Sequence, residues 1–185
     1  MKLIILDRDG VINEDSDNYI KSADEWVPIP GSIEAIADLS KAGYTVVVAT
    51  NQSGLNRGLF SPDDLSAMHN KLCGLVESAG GKIDGIYYCP HRPEELCICR
   101  KPNTGLLDNI ASEWGSIEGI PFVGDSLKDL QVAEKMNCQG ILVRTGKGQK
   151  TEYQLKQQPD STLSEVSIFS NLNAVVQSIL TESTH

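Results

Sequence analysis

Two aspartates, Asp7 and Asp9 in the run Asp7-Arg8-Asp9-Gly10-Val11, stand directly behind the apolar stretch Leu3 to Leu6. In an extended segment, side chains at i and i+2 share a side, so both carboxylates face one small space at a strand end. Like charges so placed repel, and the arrangement is costly unless a cation or a reacting centre uses it. Asp-Gly is also an ordinary turn after a strand. Gly10 satisfies that reading, but a turn does not require the first carboxylate.

Other residues with chemical capacity follow other apolar runs. Thr50-Asn51-Gln52-Ser53-Gly54 groups small hydroxyl and amide donors with a glycine; Gly124-Asp125-Ser126 precedes Asp129 by one helical turn; Arg100-Lys101-Pro102 supplies adjacent cations. Taken singly these are a turn, a helix cap and a solvated pair. Together they suit phosphoryl transfer, which needs positioning and positive charge more than covalent elaboration. Asp7, Asp9 and Asp125 offer hard oxygen ligands for Mg²⁺. Lys101 and the donors near Thr50 would neutralise phosphoryl oxygens. A carboxylate beside the metal can attack phosphorus to give an acyl-phosphate that water cleaves, while the other protonates the leaving alkoxide and later activates the water.

A second cluster lies in Cys89-Pro90-His91-Arg92-Pro93-Glu94-Glu95-Leu96-Cys97-Ile98-Cys99. Thiolates and an imidazole in two close pairs match the ligand chemistry of tetrahedral Zn²⁺ at Cys89, His91, Cys97 and Cys99. A redox pair or a buried thiol cluster are the alternatives. A closed four-ligand shell is structural, and it would pin the loop that carries Arg100 and Lys101. Cys73 and Cys138 are expected in the core.

The elements that must position these groups are legible. The strand candidates are Leu3 to Leu6, Tyr44 to Ala49, Gly85 to Tyr88, Ile120 to Val123 and Gly140 to Val143. Runs such as Val46-Val47-Val48 suit strands buried on both faces of a parallel sheet. Helical patterns cover Ile33 to Ala42, Gly105 to Trp114 and Leu127 to Met136. Another is capped at Ser61-Pro62-Asp63-Asp64, carries Leu65, Met68, Leu72, Leu75 and Val76 on one face, and stops at Gly80-Gly81. A last helix aligns Leu172, Val175, Val176, Ile179 and Leu180; Trp114 and Met136 read as core. The polar segment Gly146 to Pro159 reads as a loop or extended connection. Strands alternating with helices imply an α/β, three-layer, Rossmann-like fold with a mostly parallel sheet. Ligands in such sheets bind beyond the carboxyl ends of the strands, where the polar groups above fall.

At 185 residues, 40% hydrophobic and 22% charged, the chain is the size and composition of one globular domain. A net charge of -9 argues against a nucleic-acid partner. The five cysteines, an odd count with no secretory leader read at the start, argue against a disulfide framework. No apolar stretch approaches a membrane span. A cytoplasmic monomer is expected.

Asp7-x-Asp9-Gly10-Val11, Thr50, Lys101 and Gly124-Asp125-x3-Asp129 resemble the four ordered motifs of the haloacid dehalogenase superfamily, over Leu3 to about Arg144. The resemblance implies Asp7 as nucleophile, Asp9 as general acid/base, and Thr50 and Lys101 as phosphoryl stabilisers. It implies Mg²⁺ held by Asp7, Asp9 (through its carbonyl) and Asp125, with Asp129 supporting through water. A threonine is frequent where this chain has Val11. The zinc loop running into Cys99-Arg100-Lys101-Pro102 is similar to that of the heptose bisphosphate phosphatases, which serve bacterial lipopolysaccharide or S-layer glycans, and of the related histidinol-phosphate phosphatases. Asp84 to His91, Thr50 to Gly54 and Leu142 to Gly146 look more like the former. By that analogy Asp15, Ser16, Asp17, Asn18, Asn51, Gln52, Ser53, Arg100 and Ser126 line the pocket of a small phosphorylated sugar, with no large cap domain. Some heptose enzymes carry lysine where this chain has Ser126. A non-catalytic zinc-stabilised module is the reading from another class; retention of Asp7, Asp9, Lys101 and Asp125 disfavours it.

Overall fold

The fold is a six-stranded sheet between helices, seen in a computed structural model that describes residues 1–158 and 161–183. In chain order the elements are β1 (Leu3–Leu6), α1 (Ser32–Lys41), β2 (Thr45–Asn51), α2 (Pro62–Ser78), β3 (Gly85–Cys89), α3 (Gly105–Trp114), β4 (Pro121–Gly124), α4 (Leu127–Lys135), β5 (Gln139–Val143), α5 (Gly148–Lys156), β6 (Ser167–Phe169) and α6 (Leu172–Glu182). Short 3-10 turns occur at Pro93–Glu95 and Thr162–Glu165. The strand order is β3-β2-β1-β4-β5-β6, and every pairing is parallel. The chain leaves β1 in one direction, reaches the edge at β3, and crosses back to β4 on the other side. Its switch point therefore lies beside the carboxyl end of β1.

The β-branched runs are sandwiched as their composition requires. Ile4, Leu6, Val46 and Val48 enter one core with helices α1, α2 and α6, while Leu3, Ile5, Val47 and Ala49 enter the other with α3. All four β1 side chains are buried, each stabilising the fold by about 1.5–3 kcal/mol. That anchors the strand from which Asp7 emerges. Helix α2 begins as its sequence predicts: Ser61 Oγ accepts from Asp64 N at 3.1 Å, and Asp64 Oδ2 accepts from Ser61 N at 2.8 Å.

Several expectations are corrected. The segment from Gly146 is not a loop: Gly148–Lys156 forms α5, burying only Gly148, Thr151 and Leu155, too few apolar positions to announce a helix. Pro159 lies outside the described residues. The three-residue β6 is an edge strand that shows no periodicity. Leu75 turns away from the α2 core face, and Cys73 is half-buried outside the core clusters. Trp114, Met136 and Cys138 pack at the margin of the second core.

Gly10 has a φ of +85°, and a Cβ there would lie 2.0 Å from Asp125 Oδ2. Gly43 has a φ of +84° with nothing within 4 Å. Gly43→Ala should therefore cost only backbone strain, about 1–2 kcal/mol, or roughly 2–4 °C per kcal/mol in the thermal midpoint for a chain of this size. Gly10→Ala adds a collision with a buried carboxylate and should lower the midpoint substantially further. Equal midpoints in a thermal melt would contradict the close approach.

Candidate active site and metal centres

Asp7 leaves β1 with its N–H donating to Val123 O at 2.9 Å, so the β1–β4 pairing continues one residue past the strand. The chain then bends, because the N–H groups of Val11, Ile12 and Asn13 all point at Arg8 O. Asp7 and Asp9 nevertheless line one cleft of about 540 Å³ at the carboxyl ends of β1, β2 and β4. Loop residues supply the chemistry while strands fix their origins.

Lys101 is the hub of the cleft floor. It is buried, and its Nζ lies 3.1 Å from Asp7 Oδ1 while donating to Asp129 Oδ1 at 2.6 Å and Ala49 O at 2.8 Å. Burial alone would push this ammonium down, but Asp129 and then Asp7 outweigh it and hold it above its ordinary range. Asn51 clamps the same residue: its Oδ1 accepts from Lys101 N at 3.0 Å and its Nδ2 donates to Lys101 O at 3.1 Å. Asn51 lines the cleft, but both ends of its amide are committed to positioning Lys101.

The acids are held in different states. Asp7 is pushed well up, first by burial and then by Asp129, while Asp125 is pushed up to about 7 by burial and Asp129. Burial also opposes ionisation of Asp9, yet Arg8, Asn13 and Gln52 overcome it and hold that carboxyl below the usual range. Asp125 Oδ2 accepts from Lys147 N at 2.8 Å, and its carbonyl accepts from the buried Thr151 hydroxyl at 2.8 Å.

The donor set fits a divalent cation. Carboxylate oxygens of Asp7, Asp125 and Asp129 lie within 4.8 Å of one another. Ionised, these three acids balanced only by Lys101 leave two uncompensated negative charges, the complement of Mg²⁺. Asp129 is the least available of the three: Oδ1 takes Lys101, and Oδ2 takes Asp125 N, Ser126 N and Ser126 Oγ at 3.0–3.2 Å.

The second cluster also converges. Cys99 Sγ is 2.8 Å from Cys89 Sγ, Cys97 Sγ is 3.6 Å from Cys89 Sγ, and His91 Nδ1 is 3.1 Å from Cys99 Sγ. No disulfide is formed, and the four ligand atoms lie within 4.8 Å of one another, as a metal site requires. Arg100 N donates to Cys97 Sγ at 3.3 Å; although burial opposes it, this and neighbouring hydrogen bonds bring that thiol down to about 7. The cluster is thereby tied through one peptide to Arg100 and Lys101.

Among the expected pocket residues, Asp15, Ser16, Asp17, Asn51, Gln52, Ser53, Arg100 and Ser126 line the cleft, and Thr50 is buried in its floor, accepting from Gln52 Nε2 at 2.9 Å. Asn18 falls outside the lining; Tyr19 takes its place, adopting a positive φ of 67°. The sequence reading missed Lys128 on α4 and Lys147 and Lys150 at the start of α5, all of which line the wall. Burial, then Arg100 and Lys147, push the Lys128 ammonium down, so these cations crowd one another. Lys147 also reaches Asp15 at 3.4 Å, spanning the cleft from α5 to the loop after β1. Lys147 and Lys150 carried no local motif because α5 itself was not legible, whereas Lys128, on an expected helix, has nothing in the sequence to set it apart from an ordinary surface cation.

A family model described as HAD-hydrolase-like matches residues 98–167. A D-glycero-beta-D-manno-heptose-1,7-bisphosphate 7-phosphatase of Pseudomonas putida is 53% identical over 181 residues, covering 97% of this chain and 100% of its own. The enzyme of that name from Neisseria meningitidis serogroup B is 46% identical over 185 residues, 100% of this chain and 97% of its own. The crystal structure of a D,D-heptose 1,7-bisphosphate phosphatase from B. bronchiseptica, complexed with magnesium and phosphate, superposes with a TM-score of 0.92 at 48% identity, covering 98% of this chain and 99% of that one. The chain belongs to the heptose-1,7-bisphosphate 7-phosphatase family of the haloacid dehalogenase-like hydrolases.

Proposed function

We propose that this protein is a Mg²⁺-dependent phosphatase that removes the 7-phosphate of D-glycero-β-D-manno-heptose 1,7-bisphosphate, a step toward nucleotide-activated heptose. The observation that carries the reading is Lys101 bonded to Asp7 on the floor of a cleft whose wall holds a separate group of cations, Arg100, Lys128 and Lys147. One phosphoryl group would sit at Asp7 and Lys101, and the other would relieve the crowding on the wall, where a guanidinium binds oxyanions bidentately. The β anomer follows the names of the relatives at 46–54% identity. A histidinol phosphate would bring a cationic amine toward that same wall, which disfavours it.

Asp7, which a bound cation would keep ionised, attacks phosphorus and forms an aspartyl-phosphate as the bond to the sugar oxygen breaks. Asp9, held low against its burial by Arg8 but pushed back up by the negative charge of the entering phosphoryl group, protonates that oxygen. Asp9 then takes a proton from the water that attacks the intermediate, releasing phosphate and restoring Asp7. Lys101 and Thr50 stabilise the phosphoryl oxygens, and Asn51 keeps Lys101 in place. The Asp7 and Asp125 side chains, with the Asp9 carbonyl, would hold Mg²⁺, which would supply positive charge to the phosphoryl group. Asp129 serves first as the anchor of Lys101 and the cap of α4. Zn²⁺ on Cys89, His91, Cys97 and Cys99 would be structural, holding the loop that presents Arg100 and Lys101. Residues 1–185 act as one domain, a cytoplasmic monomer whose cleft is built within a single chain.

Purified protein should release phosphate from the heptose bisphosphate far faster than from histidinol phosphate, and the reverse preference would sink the substrate assignment. Asp7→Asn should lose at least about a thousandfold in kcat, as removal of a nucleophile does; undiminished turnover would reject Asp7. Elemental analysis of protein prepared without chelator should find about one zinc per chain, as one four-ligand site implies. Because burial and Asp129 push the metal-free Asp125 carboxyl up to about 7, protons and Mg²⁺ would compete below that pH. The apparent Kd for Mg²⁺ should rise by at least about tenfold per unit as pH falls below 7, more steeply where Asp7, also pushed up, takes a proton as well, and a flat calorimetric profile from pH 5 to 8 would contradict it.

A further inference from the structure

The residue between the two acids has no part in the chemistry above, yet Arg8 is completely buried. Its Nε donates to Asp9 Oδ1 at 2.9 Å, and its Nη2 lies 2.7 Å from the same oxygen, out of line for a hydrogen bond. Nη1 points the other way, 3.2 Å from His69 Nε2 and 3.9 Å from Met68 Sδ on α2. A guanidinium in a core is expensive, and an apolar side chain of similar volume would pack there at lower cost. Packing alone therefore does not account for it.

The geometry at Asp9 does. Asn13 Nδ2 also donates to Asp9 Oδ1 at 2.9 Å, so this oxygen carries two hydrogen bonds and the Nη2 charge contact, all from the protein. Oδ2 meets a single amide, Gln52 Nε2, at 3.2 Å. Burial, then the neighbouring Arg8, pull His69 down to about 4, so its ring is neutral and Nε2 is free to accept the Nη1 hydrogen. The brace runs from α2 through His69 and Arg8 to one oxygen of one acid.

We propose that Arg8, braced by His69, is a positioning residue that commits Asp9 Oδ1 to the interior and leaves Oδ2 as the oxygen that exchanges protons with the leaving group and the water. This rests on the phosphatase reading. As the bond from phosphorus to the sugar oxygen breaks, its electron pair stays on that oxygen, which takes the proton from Asp9 Oδ2 and leaves as the alcohol. Asp9 becomes a carboxylate held in the same plane. It recovers the proton from the attacking water as the bond from phosphorus to Asp7 opens. A carboxyl free to rotate would offer its proton to the cleft only part of the time.

The test compares Arg8→Met and His69→Leu with wild type by kcat/KM, which reports steps up to phosphorylation of Asp7 and excludes dephosphorylation. Two substrates are used: the sugar phosphate, whose alkoxide needs a proton to leave, and p-nitrophenyl phosphate, whose nitrophenolate does not. Arg8→Met should lose about 100-fold on the sugar phosphate and less than about threefold on the aryl ester, the size expected for a misplaced general acid. His69→Leu should show the same selectivity with a smaller loss. Equal losses on both substrates would make Arg8 merely structural and overturn the proposal, as would no loss on either. If Arg8→Met does not fold, His69→Leu, at the outer end of the brace, decides by the same ratio. Should wild type prefer a different alkyl phosphate, the substrate reading falls, and the comparison is run on that ester with the same criteria.

Discussion

Lys101 Nζ, shared among Asp7, Asp129 and the carbonyl of Ala49, is the contact on which the rest of the site depends. It joins the ends of β1 and β2, the first turn of α4 and the loop after the cysteine cluster. Each of those segments would otherwise place a buried polar group at a cost of several kcal/mol. One ammonium cannot balance all the acids around it. The residual negative charge suits the floor to a divalent cation, and a cation there would suit it in turn to a phosphoryl group.

Because the hub comes from a loop, something must hold the loop. Two devices do so from opposite ends: the Asn51 amide, which reads both the N–H and the carbonyl of Lys101, and the cysteine–histidine cluster, whose Cys97 takes the Arg100 N–H. A loop pinned at both ends suits a chain whose described residues form no separate cap domain, since short segments must then be rigid without help from a second core. The opposite wall comes from α4 and α5, and the Lys147–Asp15 contact brings α5 to the loop after β1.

Asp129 shows how economy of residues limits assignment by motif. Its place one turn after Asp125 fits a metal site, yet both oxygens are already engaged, one with Lys101 and one with the start of α4. Its work is to hold the hub and cap the helix. Asn51 is similar: it faces the cleft, but each end of its amide already holds Lys101, through one N–H and one lone pair.

What the sequence by itself determined was whatever periodicity and strand-end placement encode. The β-branched runs declared five parallel strands because burial on both faces leaves no polar alternation. The placing of the acids, Thr50 and Asp125 at one cleft followed from the rule that ligands bind beyond the carboxyl ends of the strands, and the cluster of Cys89, His91, Cys97 and Cys99 from their density in one short segment. Tertiary structure decided the remainder. Helix α5 buries only three residues and β6 only spans three, so neither carries a periodic signal, and Lys147 and Lys150 were invisible with them. Arg8 carried no signal of its own in the sequence, because a partner on α2, some sixty residues away, is what makes its burial meaningful. Local propensity is written in neighbouring residues, whereas the sharing of one proton or one charge among distant chain segments exists only once the chain has folded.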